Sequence, residues 1–315
     1  MVQKNILIDC DTGRDDALAL WVALKTDKVK GVISSYGNVS VSAVVENNLR
    51  VLNLAQASFV PVFEGASVSL CQNEGYQKYT IERQKISGNG VCNVELPSCN
   101  ALKVSGKLDA WVEFIQETSQ TSGKLDYIVL GPATNFAYVA ERLGNQLSKY
   151  LNSVTMLGGK IGDLWNNHPV PDFNVISDTD AFQVLLSAPI AKKLITLDTT
   201  WDIALSLEEI IEFEPSSEVG RWAKEIMISQ CQHFAPEPIF RFHDPAAIFL
   251  YDKDELFIKG DVWFDNQIAS SSFGRVKFTA SPSGSVMMFN YNQRSCPKDI
   301  AFRIMEAVGL MFCQT

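Results

Sequence analysis

Near the start of the chain, four carboxylates fall within eight residues: Asp9, Asp11, Asp15 and Asp16, in the run Ile6-Leu7-Ile8-Asp9-Cys10-Asp11-Thr12-Gly13-Arg14-Asp15-Asp16-Ala17. Asp15 and Asp16 have an ordinary structural explanation, because the first turn of a helix favours acids at its positive dipole end. Asp9 and Asp11 do not. They stand at the end of an apolar run, where buried like charges repel unless something neutralises them. A hard cation with oxygen ligands, Ca²⁺ or Mg²⁺, resolves that repulsion. Cys10, between two acids, is a poor site for a thiolate and reads as a small packing residue.

The elements that must position these acids follow from periodicity. Residues 5–10 are too short and apolar for anything but a buried strand, and 15–24 carry small and apolar residues at helical spacing. Strand-like runs recur at 32–36, 127–130, 154–157 and 194–197, with helical stretches at 41–54, 108–117, 135–143 and 180–186. This alternation predicts an α/β fold with an open, mainly parallel sheet flanked by helices, in which ligands bind at the carboxyl ends of the strands. The last third changes character. Helices are expected at 207–212, 219–232, 245–250 and 297–310, and short strands at 262–264, 276–279 and 286–289. With no linker, low-complexity tract or repeat, residues 1–315 read as a single domain. The polar loop 88–100 is long enough to be functional.

Composition narrows the partners. The 315 residues carry 27 Lys and Arg against 36 Asp and Glu, a formal charge of −9, which argues against a general nucleic-acid or membrane surface. No apolar run approaches the ~20 residues of a membrane span, and the N-terminus lacks a secretory signal pattern. Seven Cys with no C-x-x-C pair suit reduced thiols and a cytoplasmic setting better than a disulfide frame.

Two families resemble the acidic segment. Asp9-x-Asp11-Thr12 after an apolar strand resembles the haloacid-dehalogenase-like Mg²⁺-dependent phosphatases. Asp11-x-x-x-Asp15-Asp16 resembles the inosine-uridine-preferring nucleoside hydrolases. The second resemblance continues in order along the chain: Tyr36-Gly37-Asn38-Val39 with Asn47, Pro61-Val62-Phe63-Glu64-Gly65-Ala66, Leu130-Gly131-Pro132-Ala133-Thr134-Asn135, Leu157-Gly158-Gly159 followed by Asn166 and Pro169-Val170-Pro171-Asp172-Phe173-Asn174, and finally His243-Asp244-Pro245. The phosphatase pattern finds no comparable ordered series.

The nucleoside hydrolase resemblance implies a Rossmann-like fold and a Ca²⁺-dependent N-ribohydrolase that releases ribose and free base. It implies Asp11, Asp16, Asp244 and the main-chain carbonyl of Thr134 as metal ligands, with Asp11 doubling as general base for the attacking water. Asp15, Asn38, Asn166, Asp172 and Asn174 would surround the ribose, and Asp9 would support the loop from behind. His243 would act as general acid for the departing base, its ordinary pKa near 6.5 suiting that task. His168 reads as a plain polar residue. The resemblance also implies a homodimer or homotetramer.

Two departures fall in the substrate shell. Asp172 stands where the family usually has Glu, one methylene longer, and Ser87 stands where many relatives carry His. Both point to an altered or narrow substrate choice; a binding protein that kept the ribose site but lost turnover is the alternative they raise. Trp165, His233, Phe234, Phe240 and Phe242 are the candidates for stacking on a base, against the plain reading that buried aromatics fill the core. Helix 219–232 and the loop after it are the candidate lid.

Overall fold

The computed structural model describes residues 4–71, 84, 87–99, 104–106, 108–161, 171–234, 237–265, 274–289 and 296–312. Its frame is a nine-stranded sheet. Six strands come from the first two thirds of the chain: β1 (Asn5–Cys10), β2 (Lys28–Ser34), β3 (Val62–Glu64), β4 (Leu125–Val129), β5 (Leu151–Leu157) and β6 (Ala191–Ile195). They lie in the order β3-β2-β1-β4-β5-β6 and are parallel throughout. The direction of winding reverses between β1 and β4, and a crevice opens there at the carboxyl ends of the two strands.

The last third does not build a separate layer. Of β10 (Phe257–Phe264), β11 (Val276–Ala280) and β12 (Val286–Phe289), β12 adds to the sheet parallel to β6, and β10 and β11 follow it antiparallel. Two small antiparallel pairs stand apart, β7 (Ala204–Ser206) with β9 (Ile239–Arg241), and β8 (Phe213–Pro215) with β13 (Leu310–Phe312). The helix expected to run to residue 310 stops at Ala307, because Gly309 takes a left-handed φ of 84° and turns the chain into β13. The strand expected at 194–197 ends at Ile195, and Leu197 already opens a short helical turn.

The sheet is buried on both faces, as parallel sheets are. Along β1, Ile6, Ile8 and Cys10 join one core and Leu7 the other, following the two-residue period of a strand. The first core is covered by the helices Arg14–Thr26, Val41–Leu54, Glu218–Ser229, His243–Leu250 and Pro297–Ala307, and the second by Leu108–Ser122, Thr134–Leu143 and Thr179–Ser187. The helix Arg14–Thr26 is buried from Asp16 to Ala23, so packing sustains it more than propensity does. Among the described residues, no helix is long and apolar enough to cross a membrane.

Phe182, fully buried, meets Phe264 edge to face at 5.1 Å and ties the parallel core to the C-terminal strands. Phe182→Ala is expected to cost about 3–5 kcal/mol of stability. The check is a lower urea midpoint with an unchanged m-value.

Candidate active site

The chain leaves β1 as Asp11-Thr12-Gly13 and enters the helix at Arg14. Asp16 helps to start that helix, its Oδ2 accepting the Gly13 N–H at 2.9 Å. Asp11 is held from the neighbouring strand connection. The Asn38 N–H donates to its Oδ2 at 2.7 Å, and the backbone of Gly37 comes so close that a Cβ there would lie 2.0 Å from the same oxygen. Any residue but glycine at position 37 would displace the carboxylate. The Asn38 amide also donates to Asp16 Oδ2 at 3.4 Å.

Asp244 arrives from the other end of the sequence, in the first turn of the helix His243–Leu250. Carboxylate oxygens of Asp15, Asp16 and Asp244 all lie within 4.8 Å of one another. Burial pushes the carboxyls of Asp16 and Asp244 well above the usual range; repulsion from Asp11 and Asp15 adds to it at Asp16, and from Asp15, Asp16 and Asp11 at Asp244. Asp16 Oδ1 is a buried acceptor with no hydrogen-bond partner. A buried polar atom left without a partner costs about 1–3 kcal/mol. An oxygen-only cluster with a spare, inward-facing acceptor fits a hard divalent cation.

Asp9 plays a different part. Its carboxylate accepts from the Tyr127 hydroxyl at 3.0 Å and from the Asn135 amide at 2.8 Å, joining β1, β4 and the helix Thr134–Leu143. Burial raises its pKa to about 7, against the lowering effect of these two bonds. It does not line the cavity, so it is not placed as the nucleophile a phosphatase mechanism requires. Cys10 is the packing residue expected, its thiol pushed well up by burial.

The cavity beside the carboxylates has a volume of about 240 Å³ and is lined by Asp11, Asp15, Asn38, Asp172, Asn174, His243 and Asp244, together with Arg14, Leu130, Leu157, Pro171, Phe173 and Leu197. Asp172 caps the helix Phe173–Ser177, its Oδ1 accepting the Val175 N–H at 3.0 Å. That bond draws one oxygen of an already short side chain toward the backbone. The Asn174 amide nitrogen spans two strand tips, donating to the carbonyls of Leu130 (2.6 Å) and Leu157 (3.1 Å). His243 Nδ1 is bonded to the Thr200 hydroxyl at 2.7 Å, which orients the ring from the protein side.

Several expected residues stand elsewhere. Thr134 does not line the cavity. It opens a helix, where its carbonyl points along the axis into the helical ladder, and its hydroxyl donates to Asp178 at 2.6 Å. The residue of this segment that lines the cavity is Leu130, at the tip of β4. Phe240 is core: it is buried against Phe242 with ring centroids 5.0 Å apart, because alternate residues of β9 face the packed interior. His233 is exposed in the turn after the helix Glu218–Ser229, and Ser87 lies in a turn closed by its carbonyl accepting from Gly90 N–H at 2.9 Å; neither lines the cavity. Trp165, Asn166, His168 and the Phe234 side chain lie outside the described residues. Arg14 was not anticipated, although its place inside the acidic run was a signal.

A carboxylate cluster at a topological switch point, with a histidine and polar groups around a small cavity, makes up a site rich in donors and acceptors for a polar ligand. Residues 6–304 match the family described as inosine-uridine preferring nucleoside hydrolase. A probable uridine nucleosidase 2 from Arabidopsis thaliana is 27% identical over 264 residues, 81% of this chain and 79% of that protein. A pyrimidine-specific ribonucleoside hydrolase RihA from Shewanella sp. (strain MR-7) is 26% identical over 93% of both. Among solved structures, a plant nucleoside hydrolase superposes with a TM-score of 0.78 at 19% identity, over 98% of this chain and 99% of that one. A purine-preferring ribonucleoside hydrolase from Gardnerella vaginalis does so at 0.76 and 20%, over 97% and 98%. The chain belongs to the inosine-uridine-preferring nucleoside hydrolase family, and with it to the N-glycosidases that act on ribonucleosides.

The carboxylate cluster sets a pH signature for protein stripped of metal. Asp9, Asp16 and Asp244 have native pKa values above their unfolded ones, so above about pH 4 the native state holds more protons than the unfolded state and stability falls as pH rises. The Tm of chelator-treated protein is expected to drop between about pH 5 and pH 8, and an added divalent cation to restore more at the higher pH. A calorimetric series at both pH values checks this; a Tm that climbs across the window contradicts it.

Proposed function

We propose that the protein is a Ca²⁺-dependent ribonucleoside hydrolase in which Asp11 activates the attacking water and His243 assists departure of the base. The observation that carries this reading is the close set Asp15, Asp16 and Asp244, with Asp16 Oδ1 left unpaired among the described residues, beside a cavity that Asp11, Asp15, His243 and Asp244 line. Asp11, Asp16 and Asp244 are the proposed side-chain ligands, and Leu130 replaces Thr134 as the source of a main-chain oxygen. Ca²⁺ suits such a site because it takes six to eight oxygens in irregular geometry, whereas Mg²⁺ retains its waters. When bound, the ion supplies a template for the sugar diol and acidifies water.

The chain's own groups account for the rest. Cleavage of an N-ribosidic bond builds positive charge on the sugar ring, which a wall of carboxylates favours. Asp11, oriented by the Asn38 N–H, takes a proton from the water that attacks C1′. Asp15 and Asn38 accept from and donate to the ribose hydroxyls on one side, and Asn174 and Asp172 on the other. His243, held by Thr200, delivers a proton to the leaving base. The capped Asp172 reaches less far than a glutamate would and leaves space at the sugar's 5′ end.

Reducing-sugar release from a panel of purine and pyrimidine ribonucleosides tests the reading. Asp11→Ala is expected to lower kcat by about 10²–10⁴-fold, and His243→Ala by a comparable factor that shrinks for substrates with good leaving groups. Treatment with a chelator should abolish turnover and Ca²⁺ should restore it. Phosphate release from nucleotides without free ribose would sink the proposal.

A further inference from the structure

Arg14 is the one cation on the wall of a cavity that four carboxylates share, among the described residues. It is half-buried in the first turn of its helix. The carboxylates are turned elsewhere, Asp11 to the Asn38 N–H, Asp172 to the Val175 N–H, and Asp15 into the cluster with Asp16 and Asp244. Beyond the cavity, the Arg14 charge is felt at Cys92, whose thiol burial pushes up to about 12 against that pull. Cys92 in turn bonds Gln230 at 3.3 Å, just past the helix Glu218–Ser229. Asp172 and Asn174 come from the Pro171–Asn174 segment, which meets the tips of β4 and β5.

A guanidinium carries five donors and no acceptor, which dictates what it can bind. Sugar hydroxyls are already served by carboxylates and amides. What remains is an acceptor on the leaving group that gains negative charge as the glycosidic bond breaks. We infer that Arg14 is the leaving-base determinant of this site, donating to the carbonyl oxygen beside the glycosidic nitrogen of 2-oxopyrimidine nucleosides. The inference rests on the hydrolase reading above and names its substrate class.

The step balances simply. The N1–C1′ bond breaks and its electron pair passes to the base, where it delocalises into the C2 carbonyl that Arg14 holds. The water oxygen bonds to C1′, Asp11 takes the water's proton, and His243 supplies the proton that leaves the base neutral. Arg14 stays protonated throughout and acts only by charge and geometry. Purines have no carbonyl beside N9, so they gain nothing from it.

The test compares uridine, adenosine and 4-nitrophenyl β-D-ribofuranoside, whose leaving group needs no such donor, with wild type, Arg14→Met and Arg14→Lys. Wild type should favour uridine over adenosine. Arg14→Met should lower the ratio of kcat/KM for uridine to that for the nitrophenyl riboside by about ten- to a hundredfold, mostly through kcat, as expected for a charge-assisted hydrogen bond that strengthens in the transition state. Arg14→Lys should recover part of the ratio. Nitrophenyl riboside turnover in each variant reports that the site has folded. Equal loss on all three substrates, or an unchanged ratio, overturns the inference while leaving the hydrolase reading intact. A wild type that releases ribose from none of the three overturns the hydrolase reading itself.

Discussion

Like charges crowded into a low-dielectric pocket are the constraint on which this structure turns. Asp11, Asp15, Asp16 and Asp244 repel one another, and burial deprives Asp11, Asp16 and Asp244 of the solvent that would screen the repulsion. The surrounding fold can be read as the apparatus that holds them together all the same. The Asn38 and Gly13 N–H groups each offer a donor to one carboxylate, and Gly37 gives way sterically so that Asp11 can approach. The repulsion stored in the cluster is a cost to the protein without a counter-charge, and one that a bound cation would offset.

Around this cluster the polar network separates into layers with different duties. Asp9, Tyr127 and Asn135 knit β1, β4 and a flanking helix, and Thr134, Tyr36 and Asp178 knit the neighbouring connections. These groups face away from the cavity and are satisfied by protein. The cavity-facing groups, by contrast, are held at one atom and presented at another, as with His243 through Thr200 and Asn174 through two carbonyls. Such one-sided anchoring orients a functional group without exhausting its hydrogen-bonding capacity.

Much of this was legible in the sequence. The apolar run Ile6–Ile8 ending in acids gave away the strand and pointed to its carboxyl end, where Asp11 lines the cavity while Asp9 is satisfied by Tyr127 and Asn135. The alternation of strands and helices was likewise enough for the parallel sheet. What stayed hidden had physical reasons. A main-chain carbonyl carries no side-chain signature, so the place of Leu130 rather than Thr134 on the cavity wall was not legible. Phe240 has the same chemistry in a core as on a pocket wall. The joining of β12 to β6 depends on partners distant in sequence, which local periodicity does not encode. Arg14 looked like any cation in a helical first turn until its neighbours were seen to be engaged elsewhere.

The helix bearing Asp244 packs against the helix bearing Asp15 and Asp16, yet the two stand far apart in the sequence. An N-terminal fragment therefore holds its acids without the partner that completes the cage, and it closes only after a very long loop has been ordered. A ligand that engages all three carboxylates therefore stabilises only a chain in which both helices have docked.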